Sequence, residues 1–357
     1  MSESGEHPIE RAKRMNRKLI DLALQGGGSH GAFTWGVLDR VLEDGRLEIE
    51  AISGTSAGAM NAAVVAEGVM KGDYEGARAA LARFWRGVAK AAEGSPLKRS
   101  PVAMFFGDWS LDNSPLYLWF DIMSRMVSPY DLNPLNVNPL RDLLDELVDF
   151  DAVRACDKLK VFIAATNVES GRTRIFKRTE LTADHVMASA CLPYLFQAVE
   201  IDGRPYWDGG YVGNPPLFPF FRQTACSDVL IVQINPVERK GAPKTARDIM
   251  ERINEITFNS SLLREFRAIE FVSRLIDQGK LSEDSYKKVR VHRIDGGAEL
   301  ARFGASSKLI GEWAFFQKLF ELGRASAHTW IDRHYDDIGQ RSSLDLPALL
   351  NDPEVGI

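Results

Sequence analysis

The sequence predicts an α/β fold, a mostly parallel sheet covered by helices. Three observations carry that reading. Residues 18–70 run strand, loop, helix, strand, turn, helix, the alternation that builds parallel sheets. Residues 159–166 (LKVFIAAT) and 229–234 (VLIVQI) are short apolar runs of the kind such a sheet buries. The chain has 357 residues, 45% hydrophobic and 26% charged, an ordinary globular balance that suits one large α/β domain with an extension.

Residues 1–17 are a polar leader. Residues 18–24 (KLIDLAL) read as the first strand and 26–31 (GGGSHG) as a loop with almost no side-chain bulk. A helix follows, because Phe33, Val37, Leu38, Val41 and Leu42 fall at helical spacing before Asp44-Gly45 stops it. Residues 47–52 give the second strand, 53–58 a serine turn, and a small-residue helix continues to about Met70. Residues from about 98 to 140 change character: Phe105, Phe106, Trp109, Tyr117, Trp119, Phe120 and Tyr130 are interleaved with Pro, Asn and Asp, which marks an insertion. Strands resume at 159–166 and 173–176, and Asp202-Gly203 between two apolar runs signals a hairpin over 198–207. Beyond strand 229–234, residues 245–278 and 307–335 are charged and helical in period. The expected organisation is a main α/β domain at 18–240 and a helical extension at 241–357.

Composition narrows the function. With 44 Lys and Arg against 49 Asp and Glu, the formal charge is −5, so the concentrated basic surface of a nucleic-acid binder is not expected. Cys156, Cys191 and Cys226 are far apart and form no CxxC pair, which argues against a disulfide framework or a zinc site and for a reducing compartment. The first twenty residues lack the apolar stretch of a secretory signal, and runs such as 51–66 fall short of the roughly 20 residues of a membrane span. The expected location is cytoplasmic, with peripheral contact at a membrane. No metal and no cofactor are expected.

The pattern G-x-S-x-G marks a serine on a tight strand-to-helix turn, and it occurs twice, at Gly54-Thr55-Ser56-Ala57-Gly58 and at Gly27-Gly28-Ser29-His30-Gly31. Ser56 follows a strand, and the small residues after it let the next helix pack close with its N-terminus aimed at the hydroxyl. The run around Ser29 suits another task, since unhindered backbone N–H groups at a helix start can hold a developing oxyanion. Gly26, Gly27 and Gly28 become the donors and Ser56 the attacker. Two rivals stand beside this reading. One is close helix-on-sheet packing with no chemistry; the other is a dinucleotide-binding oxidoreductase, because Gly26, Gly28 and Gly31 satisfy G-x-G-x-x-G, with Glu48 or Glu50 as the acidic partner.

A serine hydroxyl needs a base. Asp208 is the favoured candidate: it ends the second arm of the hairpin in Tyr206-Trp207-Asp208-Gly209-Gly210, where two glycines leave its carboxylate in an open turn. At the ordinary pKa of about 3.9 it would be feeble, so either partial burial must raise it or an oxyanion site must supply most of the rate. His292 is the alternative in the usual Ser, Asp, His order, and Asp295-Gly296-Gly297 is a second Asp-Gly-Gly with no hairpin before it.

These motifs, with Ala188-Ser189-Ala190-Cys191-Leu192-Pro193 and Asn214-Pro215, resemble in order and spacing those of the patatin-like phospholipases, over residues 18–235. The resemblance implies a three-layer α/β/α sandwich, a Ser56/Asp208 dyad without catalytic histidine, a glycine loop serving as oxyanion hole, and hydrolysis of lipid acyl esters of phospholipase A or lysophospholipase type. Gly31, Gly54, Gly58, Gly209 and Gly210 carry over as supporting positions. One departure stands out: the residue before the last loop glycine, commonly Arg or Lys, is His30. Esterase action on a neutral lipid or a storage polyester is the alternative within this chemistry. An acyl channel or lid is expected from the aromatic insertion, above all Phe105, Phe106 and Trp109, with Leu217, Phe218, Phe220 and Phe221 adding to it. The apolar face carried by Ile249, Ile253, Ile256, Phe258 and residues 262–266 is expected to pack on the parent domain, with a homodimer contact as the other use.

Overall fold

The computed structural model describes residues 7–95, 98–100, 103–104, 107–112, 114–239 and 241–350, without the side chains of residues 120, 125, 247 and 305. Among these, eight strands form one sheet: β1 Lys18–Leu24, β2 Leu47–Gly54, β3 Lys160–Asn167, β4 Thr173–Lys177, β5 Val199–Ile201, β6 Arg204–Asp208, β7 Asp228–Gln233 and β8 Arg290–Asp295. Their order is β5-β6-β3-β2-β1-β7-β8, with β4 attached to β3. Strands β3, β2, β1, β7 and β8 are mutually parallel, and β4, β5 and β6 are antiparallel additions at one side.

Side-chain alternation along the central strands creates two cores. On β7, Leu230 and Val232 face one core while Val229 and Ile231 face the other; on β1, Leu22 and Leu24 oppose Ala23 in the same way. The first core is covered by helices Gly31–Asp44, Ala57–Ala92 and Trp313–His334, the second by helices Ala246–Asp277 and Leu346–Leu350. The result is the expected three-layer α/β/α sandwich. The helix after Gly31 stops at Gly45, whose φ of 71° only glycine adopts freely. The small-residue helix breaks at Gly72-Asp73, close to its expected end.

The leader contains a helix, Pro8–Arg14, held down by Arg11 and Arg17, which pair with Glu48 at 2.5 and 2.9 Å. The C-terminal third is helical as expected, but it is built into the sandwich rather than appended. Strand β8 closes one edge of the sheet against β7. Helix Trp313–His334 crosses helix Gly31–Asp44 so closely that a Cβ on Gly36 would lie 2.0 Å from the Phe320 carbonyl oxygen, and one on Gly323 2.1 Å from that of Phe33.

The insertion contains helices Pro115–Met126 and Pro129–Leu132, and helix Pro139–Leu147 follows at its end. Phe105 and Phe106 lie outside the described residues. Trp109 stacks on Phe315 at 5.0 Å and is half-buried; Tyr117 is buried, whereas Trp119 and Tyr130 are exposed. Leu217 and Phe220 belong to the second core, which corrects the expectation that they line an acyl channel. The long helix is likewise only half covered: Leu262 and Phe266 are buried, but Ile249, Ile253 and Ile256 are exposed, contrary to the expected packing of that whole face on the parent domain.

The interhelical contact predicts that Gly36→Val destabilises the protein by about 3 kcal/mol in urea unfolding, because backbone must move to admit the side chain. An unchanged midpoint would show that the C-terminal helix does not bear on that face.

Candidate active site

The site is created by the way β3 is shared. Strand β4 occupies one edge of β3 from Phe162 to Thr166. Strand β2 pairs with β3 from Lys160 to Ile163, and β6 pairs with it from Ala165 to Asn167; both registers overlap that of β4, so both strands lie on the opposite edge. Strand β2 runs parallel to β3 and β6 antiparallel. Their C-terminal ends therefore point at each other across Ala164. Ser56 stands two residues beyond Gly54, the end of β2, and Asp208 is the last residue of β6.

Ser56 has φ 55° and ψ −121°, a strained conformation for a residue with a side chain, at the turn that opens helix Ala57–Ala92. Its N–H donates to Ser189 Oγ at 2.9 Å. Neighbouring hydroxyls tie the end of β2 to the segment after Asp208: Ser53 donates to the Pro216 carbonyl (2.6 Å) and Thr55 to that of Gly213 (2.7 Å). A Cβ on Gly58 would sit 2.2 Å from the Leu24 carbonyl oxygen, so the helix can begin here only without one.

Asp208 is 2% exposed. Its N–H donates to the Cys191 carbonyl, its carbonyl accepts from Thr166 Oγ1, and its Oδ1 accepts the Gly210 N–H at 2.7 Å. Burial pushes its carboxyl up to about 7, while the Gly210 N–H and the hydrogen-bonding Ser56 hydroxyl pull in the other direction. Gly209 lets the chain leave β6 against β3, since a Cβ there would lie 2.2 Å from the Ala164 carbonyl oxygen. A serine hydroxyl beside a carboxylate of this basicity can lose its proton during attack on a carbonyl.

The glycine loop lies directly on Ser56: a Cβ on Gly26 would be 2.7 Å from the Ser56 Cβ. One expectation is corrected here. The Gly26 N–H is buried and donates to Asn214 Oδ1 at 2.7 Å, so it is not available to an oxyanion. Among the described residues the Gly27 and Gly28 N–H groups have no acceptor in the chain, and both residues reach solvent. The buried Gln25 side chain staples the loop from below, accepting from the Ile234 and Asn235 N–H groups and donating to the Asn214 carbonyl and Asn259 Oδ1. His30 is buried, with Nε2 2.7 Å from Ser307 Oγ; burial, and then the Lys308 and Arg239 charges, hold its pKa well below the usual value, so its ring is neutral. Gly31 abuts the start of the next helix, where a Cβ would be 2.7 Å from that of Ala57.

The alternatives sort themselves by their partners. Ser29 has no hydrogen-bonded base among the described residues. Both ring nitrogens of His292 are engaged, with Ser343 at 3.0 Å and Asp228 at 3.1 Å. Asp295 lies on β8, at the far edge of the sheet, where it accepts from the Gly297 N–H and pairs with Arg293. The dinucleotide reading fails because its acidic partner is missing: Glu48 is paired with Arg11 and Arg17, Glu50 with Lys160 and the Ala225 and Cys226 N–H groups, and both precede the C-terminal end of β2.

A family model for Patatin-like phospholipase matches residues 22–221, more than half of the chain. The chain belongs to the patatin-like phospholipase family. Solved structures similar to this patatin-like chain include VipD from Legionella pneumophila, with 15% identity, a TM-score of 0.42, and coverage of 89% of this chain and 67% of that one. Full-length ExoU from the type III secretion system of Pseudomonas aeruginosa, in complex with SpcU, is 15% identical with a TM-score of 0.37, covering 95% of this chain and 57% of that one. This chain thus spans little more than half the length of ExoU. No curated protein matches the sequence.

Beside the patatin motifs opens a cavity of about 410 Å³. Its wall includes Tyr211, three residues past Asp208; Leu192, three past Ser189; Tyr117 from the insertion; Phe258 from the long helix; and Lys308. Lys308 escaped the sequence reading because it lies outside every motif, in a segment of unremarkable composition. Among the described residues no cluster of His, Cys, Asp and Glu has the makings of a metal site, and no helix is long and apolar enough to cross a membrane.

The raised Asp208 carboxyl carries a sign. Its folded pKa of about 7 exceeds the unfolded value, so its contribution to stability is fully present below about pH 4 and is lost as pH rises through 7. Asp208→Asn should therefore leave urea stability unchanged at pH 4 and raise it at pH 8, by up to about 4 kcal/mol. Destabilisation at pH 8 would contradict the assigned environment.

Proposed function

We propose that this patatin-like chain is a serine acyl-ester hydrolase acting on lipids, of phospholipase A or lysophospholipase type, with Ser56 as nucleophile and Asp208 as general base. The observation that carries the reading is a strained serine beside a buried carboxylate and two free loop amides. In the first half-reaction Asp208 takes the Ser56 proton as Oγ bonds to the ester carbonyl carbon, and the Gly27 and Gly28 N–H groups hold the oxyanion. The carbon–oxygen ester bond then breaks, the leaving alkoxide takes the proton from Asp208, and an acyl-enzyme remains. In the second, Asp208 draws a proton from water as the hydroxide adds to the acyl carbon; Ser56 recovers a proton as its bond to carbon breaks, and the fatty acid leaves.

Ser56→Ala and Asp208→Asn should each lower turnover of a phospholipid or a short-chain ester by about 10³-fold or more while retaining cooperative unfolding. In the parent protein kcat/KM should rise with pH around a midpoint near 7, as Asp208 loses its proton. Either variant keeping a tenth of the activity would overturn the assignment. Product analysis by mass spectrometry after incubation with a whole-cell lipid extract distinguishes phospholipid from neutral lipid or polyester.

We also propose peripheral contact with a lipid surface. Two helices lining the same cavity expose apolar side chains: Leu116, Trp119, Ile122 and Met126 on Pro115–Met126, and Ile249 and Ile253 on Ala246–Asp277. Exposed apolar patches around a cavity mouth mark such contacts. The double change Trp119→Asp with Ile122→Asp should reduce hydrolysis of phospholipid vesicles about tenfold and leave that of a soluble short-chain ester unchanged. Equal losses on both substrates would remove the idea. The three described cysteines are free and buried, which supports a reducing compartment.

A further inference from the structure

Lys308 connects the C-terminal third to the glycine loop by two routes. Its carbonyl oxygen lies where a Cβ on Gly28 would be 2.5 Å away, so its backbone presses on the loop. Its ammonium donates to Asn235 Oδ1 at 2.7 Å, and Asn235 Nδ2 donates to the Gly26 carbonyl at 2.8 Å. Its half-buried side chain also lines the cavity. Among the described residues Lys308 forms no ion pair: Glu255, the acid that acts on it most strongly, is clamped by Arg239 at 2.7 Å and reached by Arg252 at 3.2 Å. An ammonium without an ion pair in a poorly solvated wall acts strongly on charge that develops nearby. His30, inside the loop, is neutral and supplies none.

We propose that Lys308 is a positioning residue for the glycine loop: through Asn235 it fixes the Gly26 carbonyl, and it keeps a positive charge beside the Gly27 and Gly28 amides where the substrate oxyanion forms. This rests on the Ser56/Asp208 reading. Because the oxyanion exists only in the transition state and intermediate, the charge acts on kcat rather than on KM. Its sources of perturbation are known: burial and Arg239 push the ammonium pKa down, and Glu255 and Glu251 oppose them. Loss of the Lys308 proton at alkaline pH should therefore lower activity.

The test uses the full chain on a soluble short-chain nitrophenyl ester, which has no phosphate, and on a phospholipid. Lys308→Met should lower kcat about tenfold to a hundredfold on both, with KM changed less than about threefold. Lys308→Arg should keep most of kcat and extend activity to higher pH. In Lys308→Cys, treatment with bromoethylamine restores an ammonium at the same position in the folded protein and should restore kcat, with the treated parent as control. A kcat for Lys308→Met within twofold of the parent overturns the proposal. So does the absence of rescue in the alkylated cysteine variant. A loss confined to the phospholipid would reassign Lys308 to the lipid phosphate and overturn the loop role. Ser56→Ala separates the two readings in the same assay: activity surviving there counts against the nucleophile, whereas full loss there with an unaffected Lys308→Met overturns Lys308 alone.

Discussion

One edge of β3 is divided between two strands that arrive from opposite directions, and the site depends on that division. Strand β2 climbs the edge as far as Ile163 and β6 descends it as far as Ala165, so the turn after one strand and the last residue of the other must occupy the same space. A doubly covered parallel sheet alone would have placed only the serine turn there. The antiparallel hairpin inserted above β2 brings the carboxylate. Backbone hydrogen bonds on β3 thus set the separation of Ser56 and Asp208, which rigid strands hold better than loops can.

Burial of Asp208 is the second constraint. Among the described residues no histidine and no basic side chain acts on its carboxyl; one backbone N–H and the Ser56 hydroxyl are its hydrogen-bonding neighbours. An exposed aspartate would be several units too acidic to remove a proton from serine near neutrality. Desolvation makes up the difference, at a cost in stability that the surrounding contacts offset. The same enclosure needs small residues everywhere backbone meets backbone: Gly26 against Ser56, Gly58 against β1 and Gly209 against β3 leave no room for a Cβ. Glycine spacing here records clearances as much as chain flexibility.

Much of this was legible in the sequence because it is local. Residues 18–24 are β1 to the residue, the helix after the glycine loop ends at Gly45 as its Asp-Gly stop implied, and Asp202-Gly203, with φ of 51° and 71°, is the turn of the hairpin ending at Asp208. What was not legible is what distant segments do to one another. The Gly26 amide looks available until Asn214, 188 residues away, accepts from it. A strand ending at His292 is suggested by residues 289–292, but that it runs on to Asp295 and closes the sheet against β7 is not. In the insertion, Tyr117 and Trp119 look alike in composition, yet one faces the core and the other solvent.

The most direct test of the convergence of Ser56, Asp208 and the loop amides is a crystal structure of the fluorophosphonate adduct. The account predicts phosphorus bonded to Ser56 Oγ, its unesterified oxygen within about 3 Å of the Gly27 and Gly28 nitrogens but not of Gly26, and the Asp208 carboxylate in contact with the adduct. Phosphorus on another residue, or on Ser56 with that oxygen turned away from the glycine loop, would contradict it.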